Sequence, residues 1–238
     1  MNYARKLRIG AILIGTMSLI HAAKTVDSQL NGRLWAAIDA QDDLAVAELF
    51  TGQTVPDVNA PRHGSIDQNN MTPLIYAAKY GLPLDIVQAL VSAGADIDAQ
   101  DCWGNSALIE AILNTKSTDI ALFLINKGAE PNLQNCAGNT AFHYAVLHDR
   151  QLFFQPLLEI EADTTIENNN HKTAFDMTAP KNRAAVRRSI VLNDMERAEK
   201  LAKEQKTKSA SEFDFHALAP APQKKKKVKK PAACCVIQ

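Results

Sequence analysis

Between residues 30 and 191 the apolar positions fall into short blocks separated by polar, turn-forming stretches. One class of block reads Ile86/Leu90/Val91, Ile120/Leu124/Ile125 and Phe153/Leu157/Leu158, a single apolar face at i, i+4, i+5 of a helix. The other class is rich in Ala: Thr72-Pro73-Leu74-Ile75-Tyr76-Ala77, Ser106-Ala107-Leu108-Ile109-Glu110-Ala111 and Thr140-Ala141-Phe142-His143-Tyr144-Ala145. Each opens on a hydroxyl able to cap a helix, and Pro73 fits the first helical position, where no N–H is needed. A weaker fourth copy reads Thr173-Ala174-Phe175-Asp176-Met177-Thr178. The leading hydroxyls are 34, 34 and 33 residues apart. Gly94-Ala95-Asp96, Gly128-Ala129-Glu130 and Glu161-Ala162-Asp163 keep the same period, with Gly94 and Gly128 suited to close the second helices. Asp101-Cys102-Trp103-Gly104 and Asn135-Cys136-Ala137-Gly138 supply turns between units. Two landmarks in fixed phase predict a solenoid of helix pairs.

These residues resemble the ankyrin repeat, whose unit is about 33 residues with a T-P-L-H-x-A signature. The resemblance implies an all-α solenoid, over residues 30–191, that binds protein partners along a concave face of turn tips and first helices. Some positions depart from the pattern. Ile75 and Ile109 replace the signature His kept by His143, which should weaken polar cross-linking of those repeats. Asn70 and His171 stand where a turn Gly is usual. Pro156 should kink or shorten a second helix. A degenerate first repeat runs from Leu34-Trp35-Ala36-Ala37 to Phe50, and about six extra residues form a loop near residues 62–69. With three clear and two capping repeats, the expected division is 1–25 signal-like, 26–192 repeats, 193–212 a charged helix and 213–238 a flexible tail.

Charge changes the picture. Lys+Arg and Asp+Glu both number 26, yet residues 26–180 hold 7 bases against 20 acids, a net of −13. Residues 1–25 carry +4, and residues 181–238 carry +9 from 15 bases and 6 acids. The acidic solenoid should prefer a basic partner and repel nucleic acid. Counting along the first helices places Tyr76, Lys79, Tyr80, Glu110, Leu113, Asn114, Tyr144, Leu147 and His148 on the binding face, with Trp103 at a turn tip.

Catalytic chemistry finds little support. Asp96, Asp98 and Asp101 alternate, but Asp101 at the sixth loop position and Ala107 at the twelfth break the EF-hand pattern. Cys102 and Cys136 share a turn position one repeat apart, beyond expected disulfide reach. No Gly-rich phosphate loop, HExxH or GxSxG occurs. No enzyme activity, cofactor or metal is expected.

The two ends carry different addresses. Arg5-Lys6-Leu7-Arg8 precedes a 12-residue apolar run, residues 9–20, followed by Ala22 and Ala23. That order fits a secretory signal peptide, and alternatively a retained hydrophobic segment. At the other end Lys224, Lys225, Lys226, Lys227, Lys229 and Lys230 precede Cys234-Cys235-Val236-Ile237-Gln238. Cys235 begins a C-a-a-X prenylation pattern, Gln238 favours farnesyl, and Cys234 could be palmitoylated. One prenyl chain anchors only marginally, and the lysines supply a second signal at an anionic leaflet. The tail resembles those of Ras-type small GTPases, and the whole chain resembles prenylated ankyrin-repeat effectors of intracellular bacteria. That resemblance implies an adaptor on a host membrane. The alternatives are a periplasmic or secreted binding protein with an unmodified tail, and a nuclear adaptor directed by the Lys-rich run.

Overall fold

The computed structural model describes residues 25–62 and 70–211. The apolar N-terminal run, most of the expected loop, the lysine run and Cys234/Cys235 lie outside the described residues.

The described residues form four helix pairs and a closing helix: α1 (Asn31–Asp39) with α2 (Asp43–Leu49), α3 (Pro73–Tyr80) with α4 (Leu84–Ser92), α5 (Ala107–Leu113) with α6 (Thr118–Asn126), and α7 (Ala141–Leu147) with α8 (Phe154–Glu159), then α9 (Arg183–Ser211). Two short parallel strands, β1 (Thr25–Val26) and β2 (Thr54–Val55), pair beside the first repeat. The hydroxyl caps form as expected, with Thr72, Ser106 and Thr140 accepting the backbone N–H of Ile75, Ile109 and His143. Pro73 takes the first helical position. First helices stack on first helices and second on second, so a single core runs along the array through Leu34, Leu74, Leu108, Phe142 and Phe154.

Ile75 and Ile109 are completely buried. At those positions apolar burial, about 1.5–3 kcal/mol for a full side chain, replaces the polar tie that a His would make. His143 does make that tie. Its Nδ1 accepts the Thr140 N–H, at 3.2 Å, which leaves the ring proton on Nε2 to donate to the Lys172 carbonyl, at 3.3 Å.

The irregular positions resolve individually. Gly104 and Gly138 sit at φ 74° and 76°, and Asn70 and His171 adopt 50° and 55° at the same turn position. Asn tolerates that region well, and His171 sits at an exposed tip. Pro156 is the third residue of α8, where its missing N–H has no carbonyl to lose. A 3-10 turn, Gln151–Phe153, replaces the helix's beginning, and α8 has 6 residues against 9 in α4 and α6. The fourth copy's Thr173 does cap, accepting from Asp176 N at 3.3 Å, but only a single turn follows. α9 runs unbroken for 29 residues across position 192, where the sequence suggested a boundary. Val186 and Asn193 are buried, and the Arg197 guanidinium reaches the Leu158 carbonyl at 3.5 Å, so α9's first half seals the last repeat.

Candidate interaction face

Two ladders, one buried and one half-buried, hold the repeats in register and fix the turn tips. In the inner ladder Asn135 Oδ1 accepts from the N–H groups of Ala137 and Asn139, both at 3.0 Å, closing the turn. Its Nδ2 reaches back one repeat to Asn105 Oδ1 at 2.9 Å and across to Tyr144 Oη at 2.7 Å. Asn168 repeats the arrangement, closing its own turn and donating to Asn139 Oδ1 at 2.9 Å. The second ladder is Gln100, whose amide donates to the carbonyls of Gly104 and Gln134, and Gln134, which does the same to Gly138 and Glu167.

Asp101 breaks the inner ladder. Its Oδ1 closes the turn to Trp103 and Asn105 N–H, but its Oδ2 is buried without a partner. One repeat back, the position of Asn105 is held by Met71, which has no oxygen to receive or oppose it. Burial pushes the Asp101 carboxyl above its ordinary range, and nearby Glu110 adds to the rise, against the hydrogen bonds from Asn105 and Trp103. A raised native-state value costs stability while the group is ionised, and the cost fades as pH falls through that value. Asp101→Asn is therefore expected to raise stability at pH 7.5 by about 1 kcal/mol, with a smaller gain near pH 4. Urea midpoints at the two pH values check this, and an unstabilised variant at pH 7.5 contradicts it.

His143 has the opposite sign. Burial lowers its affinity for a proton, although the Lys172 and Ile166 backbone contacts act the other way. Below about pH 6.5 the unfolded chain takes a proton that the native ring resists, so stability falls as pH falls. His143→Gln should flatten the slope of stability between pH 7.5 and 5.5 relative to the parent. An equal slope in both proteins contradicts the assignment.

The sequence-assigned face divides in two. Tyr80 and Leu147 are 49% and 48% exposed, Trp103 is 42% exposed, and His148 is exposed and stacks on half-buried Tyr144 at 6.3 Å. Lys79 places its ammonium 4.9 Å from the Trp103 ring centroid and 4.0 Å from Glu110. Tyr76 packs at 4.4 Å against Tyr80. Glu110 and Asn114 belong to the scaffold instead. Glu110 is 6% exposed and receives Asn105 Nδ2 at 2.9 Å. Asn114 donates to the Lys79 carbonyl at 2.6 Å and accepts the Lys116 N–H at 2.9 Å. Helical spacing alone points both outward, whereas a turn and the preceding repeat supply their partners.

The face also extends onto the first repeat. Trp35 of α1 meets Tyr76 edge-on at 5.4 Å. Arg62 lies 5.5 Å from both ring centroids and grips Asp39 with two bonds of 2.7 and 3.1 Å. Tyr76 Oη donates to the same carboxylate at 3.3 Å. Arg62 is therefore neutralised locally while its guanidinium plane tiles the aromatic surface. No local sequence signal joins Trp35, Asp39, Arg62 and Tyr76, which meet only through stacking of the first two repeats.

The alternating acids have a structural role. Asp96 accepts the Asp98 N–H, and Asp98 accepts the N–H of Glu130 in the next repeat, at 2.8 Å. Asn59 and Asn132 do the corresponding work for Asp96 and Asp163. Among the described residues no group of three or more His, Cys, Asp or Glu is placed to hold a metal, and no helix is long and apolar enough to cross a membrane.

The family profile for ankyrin repeats in three copies matches residues 34–135 and 84–169. The chain belongs to the ankyrin-repeat family. No curated protein matches it. Ankyrin-repeat proteins are generally non-enzymatic and act as protein–protein interaction modules, and the ladders above are what hold this one's turn tips and first helices as one surface.

Proposed function

We propose that this ankyrin-repeat chain is a scaffold that grips a protein partner on its first-helix face and holds it at a membrane through a lipidated tail. The carrying observation is the contiguous row of Tyr76, Tyr80, Lys79 and Trp103 on adjacent repeats, with Tyr144, Leu147 and His148 one repeat further on. Tyr80 and Trp103 are exposed, with Tyr76 and Tyr144 half-buried beside them, and aromatic anchors of this kind dominate interface energies. The net −13 of residues 26–180 favours a partner with a basic surface. Anchoring rests on Cys235 in its C-a-a-X setting, assisted by Cys234 and the lysines at 224–227, 229 and 230. Lipidation requires a eukaryotic cytosol, and delivery there by an intracellular bacterium, as the resemblance to prenylated effectors implies, accounts for tail and repeats together. The rival reading, a periplasmic or secreted binding protein with an unmodified tail, rests on the basic-then-apolar N-terminus.

Proximity labelling in a eukaryotic cell tests both halves. Cys235→Ser is expected to move the protein from membranes to the soluble fraction. Tyr80→Ala with Trp103→Ala should leave it on membranes but reduce labelling of its partner tenfold or more. A Cys235→Ser protein that stays on membranes contradicts the anchor, and labelling unchanged by the aromatic pair contradicts the face.

A further inference from the structure

Trp35 and Asp39 stand four residues apart on α1, so they share one side of that helix. Tyr76 on α3 completes a corner, its ring at 88° to the indole, and its hydroxyl steadies the Asp39 carboxylate. Two ring walls and an acid are therefore fixed by first helices alone. The cation inside comes from elsewhere. Arg62 belongs to the connection between β2 and α3, and it meets the acid fork to fork while its guanidinium lies equally far from both rings. A planar guanidinium can make two parallel bonds and stack at once, whereas an ammonium does neither as well.

This occupant is exchangeable. The side chains of Arg62 and Asp39 are 35% and 39% exposed, and ion pairs so open to water hold weakly. The Arg62 backbone N–H is bonded separately, to the Met71 carbonyl at 3.4 Å, so the guanidinium can leave while the backbone stays tied. Trp35 Nε1 is buried and has no acceptor among the described residues, a polar edge that the present occupant does not satisfy. The second cation of the face is used alike, with Lys79 on the Trp103 ring and 4.0 Å from Glu110. Tyr76 packs on Tyr80, so the corner begins the same aromatic row.

We infer that the corner of Trp35, Asp39 and Tyr76 is an arginine-binding subsite for the partner, held closed by Arg62 until a partner's guanidinium replaces it. The inference rests on partner binding at the first-helix face and names the side chain recognised there. It fits the net −13 of residues 26–180. An Arg62 filling the corner about nine-tenths of the time weakens apparent binding about tenfold.

Titrating the full chain with acetyl-Gly-Arg-Gly-amide, and with its lysine counterpart of equal charge, tests this. The chain has two Trp, so the indole N–H signal that survives Trp103→Phe belongs to Trp35 and reads the corner. In Arg62→Ala the arginine peptide should bind about tenfold tighter than in the parent. The lysine peptide should bind that variant about tenfold more weakly than the arginine peptide does. Arg62→Lys, the milder change, keeps a cation near the acid and should gain less. Adding Asp39→Asn to Arg62→Ala should abolish the gain. Equal affinity in the parent and both Arg62 variants overturns the proposal, as does equal binding of the two peptides. The titration reads the corner alone. Partner labelling by the protein with Tyr80→Ala and Trp103→Ala reads the whole face, so the failure of either reading is told from the other.

Discussion

Gly138→Ala is expected to destabilise the fold by about 3 kcal/mol and to uncouple the last repeat from the rest. Gly138 sits at φ 76°, and a Cβ there would lie 2.7 Å from both the backbone N and the Oδ1 of Asn169, and 2.9 Å from Asn168 Cα. Left-handed backbone costs an L-residue about 1–2 kcal/mol, and overpacking against backbone adds about 1–3 kcal/mol. The displaced atoms form the seam. Asn169 N–H donates to the Ala137 carbonyl at 3.1 Å, and Asn169 Nδ2 to the Cys136 carbonyl at 2.8 Å. In a solenoid, stability is a sum of repeat and nearest-neighbour terms, so a broken seam also lowers cooperativity. Residues 168–186 should then exchange amide hydrogens first, and the urea transition should broaden. Gly94→Ala is the control, because Gly94 has φ 93° but nothing within 4 Å of an added Cβ. It should cost only about 1–2 kcal/mol. Equal losses from the two substitutions would contradict the role given to the seam.

The second large effect is expected at Asn135, which is 7% exposed. Asn135→Ala removes four hydrogen bonds: two that close the turn and two that reach Asn105 and Tyr144. Because Asn105 Oδ1 loses its donor from the next repeat, the loss should come to about 3 kcal/mol. Asn135→Asp keeps the oxygen that accepts both turn-closing bonds but loses both donations, and it should fall between the parent and the Ala variant. Asn132 is the comparison, with solvent-exposed bonds between repeats. It also bridges repeats, to Asp163 N–H and the Glu161 carbonyl, but water can replace those partners. Asn132→Ala should cost less than about 1 kcal/mol. Urea unfolding of the three variants checks the order, and an Asn132 loss equal to that of Asn135 would contradict it.

What could be read from the sequence was whatever repeats locally. A hydroxyl before an apolar block is a cap wherever it occurs, and Thr72, Ser106 and Thr140 all serve as caps. Pro156 shortens its helix through its own ring, and no neighbour is needed to foresee that. The partners across repeats were harder to see. Glu110 and Asn114 lie at the helical spacing of a binding face, yet their hydrogen-bond partners come from Asn105 in the turn before α5 and from the Lys79 carbonyl. The cluster of Trp35, Asp39, Arg62 and Tyr76 draws on residues up to 41 positions apart. β1 and β2 are two residues each, too short for any alternation to show. Asp101 stands where two other repeats have Asn, so the missing amide donor is legible in the sequence, whereas its unpaired oxygen emerges only once the turn is packed.

The measurement that bears most directly on a membrane-held interaction scaffold is the intact mass of the full chain recovered from membranes of a eukaryotic cell that expresses it. The account predicts a farnesyl group on Cys235, removal of Val236, Ile237 and Gln238, and an N-terminal segment still attached. A chain with an unmodified Cys235 and an N-terminus near residues 22–24 would contradict it and favour the secreted form.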